Sequence, residues 1–89
     1  MEHDHIQVHG RVQGVSFRYF TKVKAEELGL CGWVKNETNG SVSIAVEGPK
    51  EKVDELIAWL HQGPRAAVVN EVTVEPGKVE SFTTFEIIG

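Results

Sequence analysis

One stretch of this sequence, Gly10-Arg11-Val12-Gln13-Gly14-Val15-Ser16-Phe17-Arg18, has the residue types to hold an anion. It lies between an alternating apolar run and a helix-like run, so it connects a strand to a helix N-terminus. Successive backbone N–H groups in such a connection can curl around an anion, and the helix end adds unsatisfied donors and a partial positive charge. Glycine permits the φ values and the close backbone approach that a cradle needs. Arg18 falls in the first helical turn, where the helix dipole opposes a cation. The arrangement makes better physical sense with an anion between the guanidinium and the amides. A guanidinium also grips two oxygens of a phosphate at once, which an ammonium cannot. No Gly-Lys-Ser/Thr follows, so this is not a nucleotide-binding P-loop. By spacing alone, an anion cradle and an ordinary loop with a solvated arginine stand equal.

The other reactive side chains are less telling. Asn36 cannot act as a base at neutral pH, although its amide oxygen can accept a hydrogen bond from water; read alone, it is a turn residue ahead of Thr38-Asn39-Gly40. Cys31 reads as a small buried hydrophobe, with no base to activate a thiolate. His3 and His5 alternate on one strand face and could ligate a metal as a pair; the stronger reading makes them exposed residues near a frayed terminus. His9 lies just before the loop, within possible reach of an anion. His61 suits the last turn of a helix. Trp33 and Trp59 read as packing residues, and Lys22 and Lys24 as a solvated face. No cluster of His, Asp or Glu has metal-ligand spacing, so neither a metal nor any other cofactor is expected.

The elements that must position these residues follow from periodicity. Ile6 and Val8 alternate with polar neighbours and predict a strand over 5–9. Ser16 is placed to cap a helix over 17–28, with Phe17, Phe20, Val23 (or Lys24) and Leu28 at helical spacing and Gly29 as the stop. A strand over 31–37, an Asn-Gly hairpin turn and a strand over 41–47 follow, the last with Val42, Ile44 and Val46 on one face. Pro49 opens a second helix whose Val53, Leu56, Ile57 and Leu60 fall at i, i+3, i+4 and i+7. A strand over 66–75 carries Val68, Val72 and Val74 on one face. A Pro76-Gly77 turn and a last strand over 82–88 end the chain. The order βαββαβ with a further C-terminal strand, and one apolar stripe per helix, predict an α+β fold: a ferredoxin-like sandwich with both helices on one face of an antiparallel sheet. That fold hosts many activities, so the site must decide function.

Composition narrows the classes further. The chain has 89 residues, a net charge of −4 and one cysteine, which predicts a single domain over 1–89 in a reducing, cytoplasmic setting with no internal disulfide. Neither a signal peptide nor a membrane-spanning run is expected. Four of the nine basic residues (Arg11, Arg18, Lys22, Lys24) fall between His5 and Ala25, a span with no acidic residue. A small positive region on an acidic chain suits a compact anion better than a nucleic acid. An RNA-recognition domain of this fold would also need exposed aromatics on its central strands, and Ile6, Val8 and their neighbours supply none.

The same residues carry a family resemblance. The run from Val8 to Phe20, centred on Gly-Arg-Val-Gln-Gly-Val-Ser-Phe-Arg, resembles the acylphosphatase signature. Gly29-Leu30-Cys31-Gly32-Trp33-Val34-Lys35-Asn36 followed by Gly40-Ser41-Val42 resembles its second motif. Gly48-Pro49 and Trp59-Leu60 extend the likeness over essentially the whole chain. The resemblance implies hydrolysis of carboxyl-phosphate mixed anhydrides to a carboxylate and inorganic phosphate, without metal or covalent intermediate. It implies Arg18 as the phosphate-binding arginine, Asn36 as the water-orienting asparagine, and the amides of Gln13, Gly14, Val15, Ser16 and Phe17 as the phosphate loop. The expected partners are a small acyl phosphate and inorganic phosphate as product and competitive inhibitor, with no nucleic acid and no membrane, acting on a monomer. The alternative is a non-catalytic module of the same fold that holds phosphate or carbamoyl phosphate.

Overall fold

Residues 1–89 are described by a computed structural model. Seven elements follow in the order β1 (Glu2–Arg11), α1 (Phe17–Glu27), β2 (Cys31–Asn36), β3 (Val42–Gly48), α2 (Lys50–Gln62), β4 (Val68–Pro76) and β5 (Phe85–Ile87). The strands form one sheet in the order β4-β1-β3-β2-β5. Both helices lie on one face of it, over a core of Ile6, Val8, Val34, Val42, Ile44 and Val46 from the sheet and Phe17, Ala25, Val53, Leu56 and Leu60 from the helices. The expected ferredoxin-like sandwich is therefore present. The sheet is mixed rather than wholly antiparallel, because β5 runs parallel to β2. β4 and β5 occupy opposite edges, and the segment between them crosses the sheet once. The end of β4 (Pro76) and the start of β5 (Phe85) lie on one row across the sheet, with Asp4, Val46 and Gly32 between them, so β5 runs against β4, as β2 already does.

The crossing segment seals the helix-free face of the sheet at one end. Buried Glu47 on β3 accepts hydrogen bonds from the backbone N–H groups of Glu80 and Phe82. The Phe82 ring stacks on His3, with centroids 6.0 Å apart. His3 is thus not at a frayed terminus: β1 begins at Glu2, and the His3 side chain is 1% exposed. His5 is exposed, as expected.

Three further expectations change for reasons of packing. Val68 does not share the inner face of β4. A bulge opposite His9 and Gly10 shifts the register there, so that Val69 and Val72 pack on the core and Val68 is exposed. Gly10 permits it: its φ is 135°, and a Cβ there would stand 2.1 Å from the Val68 carbonyl oxygen. A bulge of this kind flips every side chain beyond it to the other face. On α1 the buried stripe is Phe17, Thr21 and Ala25, and Phe20 is exposed beside Tyr19. Thr21 is tolerated there because its hydroxyl donates to the Phe17 carbonyl at 2.7 Å. Lys22 is no solvated residue: its ammonium donates to the Phe85 carbonyl at 2.7 Å and ties α1 to the edge strand β5. Cys31 is half-buried on the outer side of β2.

Candidate active site

The stretch between β1 and α1 has the geometry of an anion cradle. Gly14 (φ 74°) and Ser16 (φ 62°) both adopt left-handed conformations, with Val15 between them. Two such residues flanking an ordinary one turn successive N–H groups toward a common side. Ser16 occupies the N-cap position of α1, but its hydroxyl makes no capping hydrogen bond, contrary to expectation. The physical reason is its backbone: a cap residue accepts from the helix amides when extended, and Ser16 is not. A left-handed serine costs on the order of 1 kcal/mol, so the loop is held in this shape against local preference. The first helical hydrogen bond runs from the Phe20 N–H to the Ser16 carbonyl, 3.1 Å. The N–H groups from Gln13 through Arg18 donate to no protein acceptor. No acidic side chain in the first turn of α1 offsets its positive end.

Arg18 and Asn36 come together at one acceptor. The Arg18 Nη1 donates to Gly89 O at 2.5 Å, and the Asn36 backbone N–H donates to the same oxygen at 3.1 Å. This places the guanidinium at the end of β2, although the two residues belong to different layers. Asn36 also carries a telling defect. Its side-chain Oδ1 is buried and has no hydrogen-bond partner. An unpaired buried acceptor costs about 1–3 kcal/mol, and such groups mark sites where something other than the protein completes the bonding.

Gln13 does something its sequence context did not suggest. Its side-chain amide donates to the carbonyls of Glu37 (2.8 Å) and Ser41 (2.9 Å), clamping the cradle to the hairpin between β2 and β3. The hairpin tip is held in turn by Asn39, whose Oδ1 accepts from the Ser41 N–H and hydroxyl. The loop and Asn36 are therefore mutually fixed, by Gln13 on one side and Gly89 on the other. Residues 13, 41 and 89 are too far apart in sequence for spacing to reveal either tie.

A cleft of about 440 Å³ opens at this point, lined by Val12, Gly14, Ser16, Phe17, Arg18, Tyr19, Asn36 and Ile87. His9 does not line it. No side-chain carboxylate, imidazole or thiol faces the cleft, so it contains no evident general base and nothing to activate Ser16 as a nucleophile. It can bind an anion through amides and a guanidinium, and it can aim a neutral molecule from an amide oxygen.

Fold and cleft together define a ferredoxin-like α+β domain whose strand-to-helix loop presents free backbone amides beside an arginine. The chain belongs to the acylphosphatase family, whose model matches residues 4–87. An acylphosphatase of Acaryochloris marina is 47% identical over 81 residues, covering 91% of this chain and 87% of that protein. Among solved structures, an acylphosphatase from Bacillus subtilis superposes with a TM-score of 0.97 at 36% identity, covering all of both chains. One from Coxiella burnetii superposes with a TM-score of 0.95 at 40% identity, covering 98% of this chain and 92% of that one. No helix is long and apolar enough to cross a membrane.

Proposed function

We propose that this acylphosphatase hydrolyses small acyl phosphates with Arg18 and the amides of Gln13, Gly14, Val15, Ser16 and Phe17 holding the phosphoryl group, and Asn36 aiming the attacking water. The observation that carries this reading is the buried, unpartnered Asn36 Oδ1 in the same cleft as the free loop amides and Arg18. The water donates one hydrogen bond to Oδ1, which turns a lone pair toward phosphorus. The water oxygen bonds to phosphorus as the bond from phosphorus to the acyl oxygen breaks. That electron pair leaves with the carboxylate, and the water's proton passes to a phosphate oxygen. A carboxylate is a good leaving group, so no acid is needed to protonate it. Positioning and neutralisation of the phosphoryl charge supply most of the acceleration. Tyr19 and Ile87 offer apolar surface to the acyl portion.

No metal has a part in this scheme, because the guanidinium and amides meet the phosphoryl charge. The reading extends to a monomer working in the cytoplasm, which suits a single half-buried cysteine. The test is hydrolysis of benzoyl phosphate by the purified chain in the presence of a chelator. Turnover should persist, and inorganic phosphate should inhibit competitively, since substrate and product share the group held by the cradle. Phosphate that bound without raising KM would place the cradle elsewhere, and loss of turnover on chelation with rescue by a divalent ion would overturn the metal-free scheme. Tight phosphate binding with no turnover would favour a binding module.

A further inference from the structure

We propose that His3, His5 and Glu80 form a binding site for one divalent transition-metal ion of the zinc class, on the helix-free face of the sheet and apart from the phosphate cleft. One ligand atom from each residue lies within 4.8 Å of the others, and the His3 Nε2 stands 4.0 Å from the Glu80 Oε2. The His3 side chain is 1% exposed, yet its Nε2 has no hydrogen-bond partner. A buried ring nitrogen in that state calls for a partner.

The other side of the ring shows which state of the nitrogen is presented. The His3 Nδ1 lies 2.7 Å from the Glu47 Oε2. Glu47 already accepts from the Glu80 and Phe82 N–H groups, so it serves as the acceptor in this contact as well. A proton therefore sits on Nδ1, which in the neutral ring leaves the lone pair on Nε2, the nitrogen that stands beside Glu80. A carboxylate that fixes the tautomer of a histidine from behind is the arrangement that prepares a metal ligand. Gly77 keeps room beside the rings. A Cβ there would stand 2.8 Å from the His3 Cδ2, 3.3 Å from the His3 Nε2 and 3.5 Å from the His5 Cδ2.

Two imidazoles and one carboxylate suit zinc or cobalt and disfavour magnesium or calcium, which prefer oxygen ligands. A tetrahedral ion holds its donors about 3.3 Å apart. His5 and Glu80 are both exposed and can rotate to close that gap, leaving a fourth position for water. Glu80 belongs to the segment that crosses from β4 to β5, so the ion would fasten that segment to β1. The phosphate cleft shares no lining residue with this site. The six residue steps along β1 from His5 to Arg11 separate the two by about 20 Å of strand. The inference is thus independent of the catalytic scheme.

The experiment is a calorimetric titration of the chelator-stripped full chain with Zn²⁺, together with Co²⁺ as a spectroscopic probe. One ion should bind per chain, raise the melting temperature, slow hydrogen exchange at the Glu80 and Phe82 amides, and give the intense visible bands of tetrahedral cobalt. His5→Ala and Glu80→Gln change exposed side chains and should stay folded, yet each should weaken binding at least ~10-fold. His61→Ala should leave binding unchanged. Benzoyl phosphate turnover of His5→Ala should equal that of the parent with or without zinc. Absence of binding at millimolar Zn²⁺, parent-like affinity in both ligand variants, or equal loss in His61→Ala would each overturn the proposal.

Discussion

Replacing Asn36 with alanine should cost activity and no stability. Removing a hydrogen bond that positions a reacting group typically lowers kcat ~10²–10³-fold, or about 3–4 kcal/mol. The stability effect should be small. The buried Oδ1 has no protein partner, so its loss breaks no hydrogen bond within the folded chain. The side chain is only half-buried, so little packing is lost. The backbone N–H of residue 36, which bonds Gly89 O, survives the substitution. The net expectation is a melting temperature within a few degrees of the parent's. Phosphate affinity should be retained, because Arg18 and the loop amides are untouched. Three measurements on one variant check this: thermal unfolding, phosphate binding by calorimetry, and turnover of benzoyl phosphate. Turnover within a few-fold of the parent would reduce Asn36 to a turn residue. A fall in stability of 2 kcal/mol or more would show that Oδ1 makes a bond within the folded chain. Joint loss of phosphate binding and turnover in a folded variant would move Asn36 into the phosphate cradle.

Arg18→Lys should lose most activity although the charge is kept, because a point charge on a flexible stem does not reproduce the planar two-pronged guanidinium that bonds Gly89 O and faces the cradle; parent-like kcat/KM would make Arg18 a general electrostatic contributor. Gln13→Ala should lower stability by about 1–3 kcal/mol through loss of its two hydrogen bonds to the hairpin, and should lower kcat with it; unchanged urea unfolding would refute the clamp. Asp4, buried on β1 beside Glu2, has its carboxyl raised from 3.8 to about 6, first by burial and then by Glu2. Its protonated form is favoured on folding, so the parent loses stability as pH rises from about 4 through 6. Asp4→Asn should therefore match the parent near pH 3.5 and exceed it above pH 6.5 by at most about 3 kcal/mol. Urea unfolding in chelator at the two pH values checks the sign, and a variant less stable than the parent at high pH would refute it.

The sequence by itself determined the periods, the punctuation and the residues available for chemistry. Ile6 and Val8 read as strand, and Val53, Leu56 and Leu60 as one helix face, because the backbone repeats of two and 3.6 residues are local properties. The glycines and Arg18 of the β1–α1 connection were legible as a candidate cradle for the same reason, and the family resemblance sharpened that reading. The tertiary structure decided everything that depends on register and strand order. The bulge at Gly10 moved Val68 out of the core and Val69 into it. The crossing segment buried His3 and brought Glu80 to it from 77 positions along the chain. Gly89 joined Arg18 to Asn36, and Gln13 bound the loop to the hairpin. By spacing alone Asn36 is a turn residue and only the family resemblance gives it a role; the fold adds that its amide oxygen is buried without a protein partner. Spacing reports which side chains share a face of one element. Whether a polar atom is shut away from water, and what it meets there, depends on elements that fold back from elsewhere in the chain.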